Sequence, residues 1–319
     1  MGRGTQAALF GAAILAVVAA AGAIVYLGVG RLPGADRCRA EAGGRQVELT
    51  VEQAENAALI AAISVQRGLP ARAASIALAT AYQESEILNL DHGDRDSLGL
   101  FQQRPSQGWG TPAQIQDPVY ATNRFYDALV AVESYRTMAI TEAAQAVQRS
   151  AYPQAYAAHA PDARALASAL TGETTAGAFH CVVEADAEPA SARLTAAGLT
   201  RRAATVRREL EGVFGELSLG GFAADGVTSG HMEGSAHYDG RALDIFVRPV
   251  DDASRRRGWA IAAYLVAHAD RLAVQTLIFD DRIWTARRSA QGWRDYDAPT
   301  GGDPVILEHR DHVHVDVAP

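Results

Sequence analysis

The sequence predicts three consecutive parts: an N-terminal transmembrane helix, a mainly all-α domain, and an α+β domain. Three observations predict them. Residues 7–30 carry no charge. The stretch that follows is rich in alanine and marked by helix start and stop signals. Residues 312–317 alternate His312, His314 and Asp316 with valines, the period of two expected of a half-buried strand. A chain of 319 residues has room for about two domains of ~150 residues, and each could bury its own core. The expected boundaries are a cytoplasmic tail and membrane anchor over 1–31, the α domain over 38–184, a linker and helix over 185–212, and the α+β domain over 213–319.

The apolar run at 7–30 is long enough to cross a hydrocarbon core of ~30 Å as a helix. Its length favours an uncleaved anchor over a cleaved signal peptide, whose apolar core is usually ~7–15 residues. The flanking charges, Arg3 before and Arg31, Arg37 and Arg39 after, leave the orientation open. Thr50 and Gln53 form a capping-box pattern that starts a helix over 50–67. Gly68 ends it, and Pro70 can start the next helix over 70–85. Residues 91–109 are polar and Gly-rich, which predicts loop. Helices are expected again over 119–138, 141–148 and 163–170. Ala, Glu, Asp and Pro cluster over 184–191, marking a boundary. A basic amphipathic helix follows over 194–211. Short apolar runs at 241–247 and 274–279 predict strands, with a helix over 258–272 between them.

The formal net charge is -8, which argues against nucleic acid as a partner, because that role needs a concentrated positive surface. Cys38 and Cys181 bracket the first domain. A disulfide between them would contribute roughly 5 kcal/mol by chain-entropy arithmetic and suits an oxidising exterior. These features place the bulk of the chain outside the cytoplasm as a single-pass membrane protein, or as a secreted one if the N-terminal segment is removed.

Two segments carry metal chemistry. Ser235, His237, Gly240, Ala242 and Asp244 fall in one short stretch, and Asp311, His312, His314 and Asp316 in another. Imidazole and carboxylate ligands, three from the protein with one position left open, define a catalytic zinc site. His237 and Asp244 supply two ligands, and His314 or His312 the third. On the terminal strand, His312, His314 and Asp316 share a face opposite the valines. Asp311 is an odd number of residues from His314, so an unbent strand points it away, and a bulge or a strand start would be needed to bring it back. His231, Glu308 and His309 are expected to be supporting or surface groups.

The pattern His-x-x-Gly-x-Ala-x-Asp, preceded by Ser235 and followed by a His-bearing strand, resembles the zinc D-alanyl-D-alanine carboxypeptidases and related peptidoglycan amidases, whose fold hedgehog signalling domains share. The resemblance covers about residues 220–319. It implies that His237, Asp244 and His314 bind Zn2+. It also implies that Asp311 or His312 is the catalytic base, and that Ser235 orients the ligands or binds a substrate carboxylate. The alternative is a metal-binding but inactive domain.

In the first domain, Glu84 and Ser85 end a helix and run into a polar loop containing Ser97, Gly99, Leu100 and Gln102. A carboxylic acid kept protonated by burial suits proton donation to a glycosidic oxygen. Over about residues 50–170 these residues, followed by Asp117 and Pro118, resemble the lysozyme-like soluble lytic transglycosylases. That resemblance implies Glu84 as general acid and then base, with Ser97 and Gln102 in the substrate site. A hydrolase normally needs a second carboxylate, for which Asp91, Asp94 and Asp96 are available. Trp109, Tyr152 and Tyr156 are candidates either for stacking on sugar rings or for the core. Both resemblances imply peptidoglycan as the substrate, cut at the glycan strand by Glu84 and at the stem peptide by the zinc site. The rival readings are a catalytically inactive wall-binding or assembly protein that keeps both folds, and a secreted metallohydrolase for another amide.

Overall fold

The computed structural model describes residues 37–319 apart from 151, 175, 185 and 189. Arg37–Pro319 packs as one compact unit. It opens with a hairpin of β1 (Arg37–Ala42) and β2 (Arg45–Thr50). Gly43 and Gly44 join the strands with φ of 58° and 73°, the left-handed values that a type I′ turn requires and that glycine adopts without strain. Helices α1 (Val51–Gln66) and α2 (Ala71–Ser85) follow. Thr50 caps α1 through the expected box: its hydroxyl accepts from the Gln53 N–H at 3.3 Å, and the Gln53 side chain accepts from the Thr50 N–H at 3.0 Å. Next come α3 (Pro112–Ile115), α4 (Pro118–Val130), α5 (Ile140–Gln148), α6 (Ala160–Leu170) and β3 (Phe179–Val182).

The second half contains α7 (Arg201–Phe214), β4 (Ser218–Gly220), β5 (Ala242–Phe246), α8 (Asp252–Ala267), α9 (Ala269–Leu272), β6 (Val274–Phe279), β7 (Arg282–Thr285), β8 (Arg294–Asp295), α10 (Pro304–Leu307) and β9 (His312–Val317). Strands β4–β9 form a six-stranded antiparallel sheet in the order β4-β5-β9-β6-β7-β8. Val313, Val315 and Val317 are buried on the side where α7 and α8 pack, and His312, His314 and Asp316 occupy the other face. Helices α1 and α8 pack on each other. Alanines make up much of the contact, and α1 is buried from Ala57 through Ser64 and α8 from Gly258 through Ala267.

The all-α expectation for the first domain is corrected. Strands β1, β2 and β3 form a three-stranded antiparallel sheet in the order β2-β1-β3, so this region mixes helix and sheet and is not an all-α lysozyme-like domain. The expected transmembrane helix at 7–30 lies outside the described residues, and among the described residues no helix is long and apolar enough to cross a membrane. Cys38 and Cys181 face each other in the β1–β3 ladder and form a disulfide. The expected helix over 119–138 stops at Val130, and turns occupy the stretch before α5.

A buried histidine at the end of α8 makes folding pH-sensitive. His268 is 5% exposed, stacks on Tyr264 at 4.0 Å and holds the Tyr264 carbonyl through Nδ1 at 2.8 Å. Burial pushes its pKa down to about 4, against an unfolded value of ~6.5. The unfolded chain therefore binds this proton first as pH falls. Stability should drop by up to about 3 kcal/mol between roughly pH 6.5 and pH 4. Urea titrations at pH 7 and 4.5 should show a smaller drop for His268→Gln than for the unsubstituted protein.

Candidate metal centre

Strand pairing builds the core of the site. Asp244 in β5 lies directly across from His314 in β9, so both side chains rise from the same face of the sheet. His237 comes from the loop before β5. Its Nδ1 lies 2.7 Å from the Gly221 carbonyl, which can only accept a hydrogen bond, so the neutral ring carries its proton there and presents Nε2 as a lone pair. On the other side, His314 Nε2 is 3.6 Å from an Asp316 carboxylate oxygen, which leaves Nδ1 as the inward-facing atom.

These inward atoms meet. His237 Nε2 lies 3.1 Å from His314 Nδ1 and 3.3 Å from Asp244 Oδ1, and His314 Nδ1 lies 3.2 Å from Asp244 Oδ1. All three residues are buried. Two imidazole lone pairs and a carboxylate oxygen at such separations repel unless they share a cation. The separations fit ligands ~2.0–2.1 Å from a tetrahedral ion, which stand roughly 3.3 Å apart. Without a metal, a proton fills that role. Burial alone would lower the His314 pKa, but hydrogen bonding to Asp244 and Asp316 raises it to about 9. Burial likewise opposes the charge on Asp244, yet the His237 and His314 rings beside it hold its carboxyl far below the usual range.

His231 joins this group. Ligand atoms of His231, His237 and Asp244 all lie within 4.8 Å of one another, so these residues could hold a metal ion. The His231 ring stacks on His237 at 3.9 Å. The sequence reading placed His231 among supporting or surface groups. Its position six residues before His237, in a Gly-rich loop, gives no periodic signal that would have marked it.

His312 and Asp311 are coupled beside the centre. Asp311 lies just before β9, turned out of the strand's alternation. Its Oδ1 is 2.7 Å from His312 Nδ1, and its Oδ2 accepts from Arg248 at 2.8 and 2.5 Å. The Arg248 guanidinium stacks over Phe246 at 4.2 Å. Burial favours the neutral Asp311 acid, but hydrogen bonds from His312 and Arg248 keep its pKa below the ordinary value. With its Nδ1–H directed at Asp311, His312 presents Nε2, which lies 3.8 Å from Asp244 Oδ1. Ser235 accepts from the His237 N–H at 3.4 Å and so shapes the turn that delivers that ligand. His309 stands 4.5 Å from the His312 ring. Burial first, then its histidine neighbours, push its pKa down to about 3, so its ring is neutral at physiological pH. Arg248, His309 and His312 line, with the metal-site residues, a cavity of about 730 Å³ whose apolar walls are Phe246, Ile278, Tyr296 and Ile306.

Gly221 was not singled out in the sequence, but it is sterically required. It holds φ of 77°, and a Cβ there would lie 2.3 Å from His237 Cε1 and 2.8 Å from Asp244 Oδ2. Gly221→Ala should therefore destabilise the fold by about 1–3 kcal/mol and weaken metal binding. Chemical denaturation and metal titration of the variant check both effects.

In the first half, Glu84 sits in the last turn of α2, half-buried, and accepts from the Tyr156 hydroxyl at 2.7 Å. Ser85 ties the helix end to the following loop through the Leu100 carbonyl at 2.8 Å. The Gln102 amide donates to the His92 and Gly99 carbonyls, both at 3.3 Å, and Ser97 is buried. Asp96 is held by the Ser106 N–H at 2.8 Å and by Arg104 at 2.7 Å, and these bonds depress its pKa. Asp91 pairs with His92, and Asp94 with Arg95 at 3.9 Å. Tyr156 is fully buried and so cannot stack on a sugar, whereas Tyr152 is 77% exposed. Trp109 borders a cavity of about 800 Å³, and Glu84 is not among its lining residues.

A family model described as "VldE, C-terminal domain" matches residues 195–304. The match takes in Ser235, His237 and Asp244 and ends before Asp311, His312 and His314. No curated protein matches the chain.

Proposed function

We propose that this protein is a zinc-dependent amide hydrolase that cuts the stem peptides of peptidoglycan. The observation that carries the reading is the meeting of His237 Nε2, His314 Nδ1 and Asp244 Oδ1 at an open cavity, 3.1–3.3 Å apart. Two imidazoles and a carboxylate suit zinc among the divalent ions. A bound ion supplies Lewis acidity at the scissile carbonyl and a lowered pKa for the attacking water. The protein's own groups do the remaining work. His312 takes the proton from water through Nε2 and delivers it to the leaving amine. Asp311 fixes the His312 tautomer, and Arg248 holds Asp311 in place. The apolar wall of Phe246, Ile278 and Tyr296 takes small aliphatic side chains. The disulfide supports a compartment outside the cytoplasm.

A second cut, of the glycan strand, rests on Glu84 and the hydroxyl that Tyr156 directs at it. Digestion of purified cell wall separates the readings. Stem-peptide fragments that disappear with His237→Ala support the peptidase, and glycan fragments that disappear with Glu84→Gln support the second cut. If purified protein holds no metal and neither variant alters the products, the enzymatic reading fails and the wall-binding alternative stands.

A further inference from the structure

We propose that His231 is a removable fourth ligand that closes the metal centre in the resting protein. The inference rests on the metal reading above and adds a role for the 226–234 loop. A catalytic centre of this type needs three protein ligands and one vacant position, whereas four protein ligands make a closed centre. Here His237, Asp244 and His314 already form a complete set of three. His231 brings a further nitrogen within 4.8 Å of the His237 and Asp244 ligand atoms, stacked on the His237 ring. It also lines the cavity at which the three ligand atoms meet.

The loop that carries it is built to leave. Gly226, Gly230 and Gly234 all take positive φ, and a Cβ at any of them would meet nothing within 4 Å, so these three positions face open space on the side a side chain would take. Met232 next to His231 is 64% exposed. A tether holds the segment from one side: the Tyr238 hydroxyl accepts from the His231 N–H at 3.1 Å and donates to the His231 carbonyl at 2.5 Å. Residues 230–236 form one wall of the cavity, so displacing them both frees the coordination position and widens the entrance. A substrate that pushes this wall aside opens its own site, and the closed form protects the centre until then.

The test uses the full-length protein loaded with Zn2+. X-ray absorption should count three imidazole ligands in the unsubstituted protein and two in His231→Ala. Competition titration should show zinc bound about tenfold or more weakly by His231→Ala. Tyr238→Phe keeps the His231 imidazole but removes the hydroxyl that tethers it, and should fall between the two. Both substitutions should raise turnover on cell wall. An unchanged ligand count and affinity in His231→Ala would overturn the proposal while leaving the three-ligand centre intact. Failure of the unsubstituted protein to take up zinc would overturn the underlying metal reading, and this proposal with it.

Discussion

On the proposed function, Asp244→Ala should abolish metal binding and stem-peptide hydrolysis while leaving the protein folded. Asp244 is the one carboxylate in contact with both inward imidazole atoms. It supplies the negative charge that makes a divalent ion preferable to a lone proton. Without it, His237 and His314 face each other at 3.1 Å with no anion between them, and the imidazoles that remain, His231 included, carry no negative charge to offset a divalent ion. Loss of a supporting partner in such a centre costs ~10–100-fold in affinity, so loss of this ligand should cost more than about 100-fold. Metal analysis after dialysis should fall from one ion per chain to near zero. Its far-UV spectrum should be unchanged, because the sheet beneath is held by the β5–β9 ladder and the buried valines of β9. Retention of a full equivalent of metal would show that the ion sits elsewhere.

His312→Gln should separate chemistry from metal binding. Its Nε2 lies outside the tight triangle, and Nδ1 is committed to Asp311. Removing a positioned general base typically costs about 100- to 10,000-fold in rate. Hydrolysis of stem peptides should fall by that amount while zinc content stays at one equivalent. Asp311→Asn is the companion variant. It keeps the size of the side chain but allows the wrong His312 tautomer, so it should lower kcat more than KM. A His312→Gln protein that loses its zinc would make this residue a ligand and move the base elsewhere.

Much of the second half was legible because its signals are local. The alternation of valine with His and Asp gave β9 at its observed limits, and the apolar run 274–279 gave β6. The same period placed His312, His314 and Asp316 on one face and turned Asp311 away. In the fold, Asp311 uses that divergence to hold His312 from outside the strand. Arg248 was not legible, because it reaches Asp311 only through the pairing of Val247 with the Asp311 carbonyl at 2.9 Å, across a long stretch of chain. Gly221 was hidden for the same reason: its contact with His237 exists only once the loop has closed.

The first half was less legible. Strands β1 and β2 were missed because their buried faces consist of Cys38, Ala40, Ala42, Val47 and Leu49, too small and short a pattern to stand out beside alanine-rich helices. The pair Gly43-Gly44, flanked by alternating residues, was the available hairpin signal. The sequence puts Glu84 at a helix end, as observed, but its partner Tyr156 lies beyond α5 in the chain, and no local signal links the two.

The most direct measurement is anomalous diffraction at the zinc edge from crystals of the full-length protein grown with Zn2+. A single strong peak should lie ~2.0–2.2 Å from His237 Nε2, His314 Nδ1 and an Asp244 oxygen. Well-ordered density for these three side chains with no anomalous peak among them would contradict a metal centre.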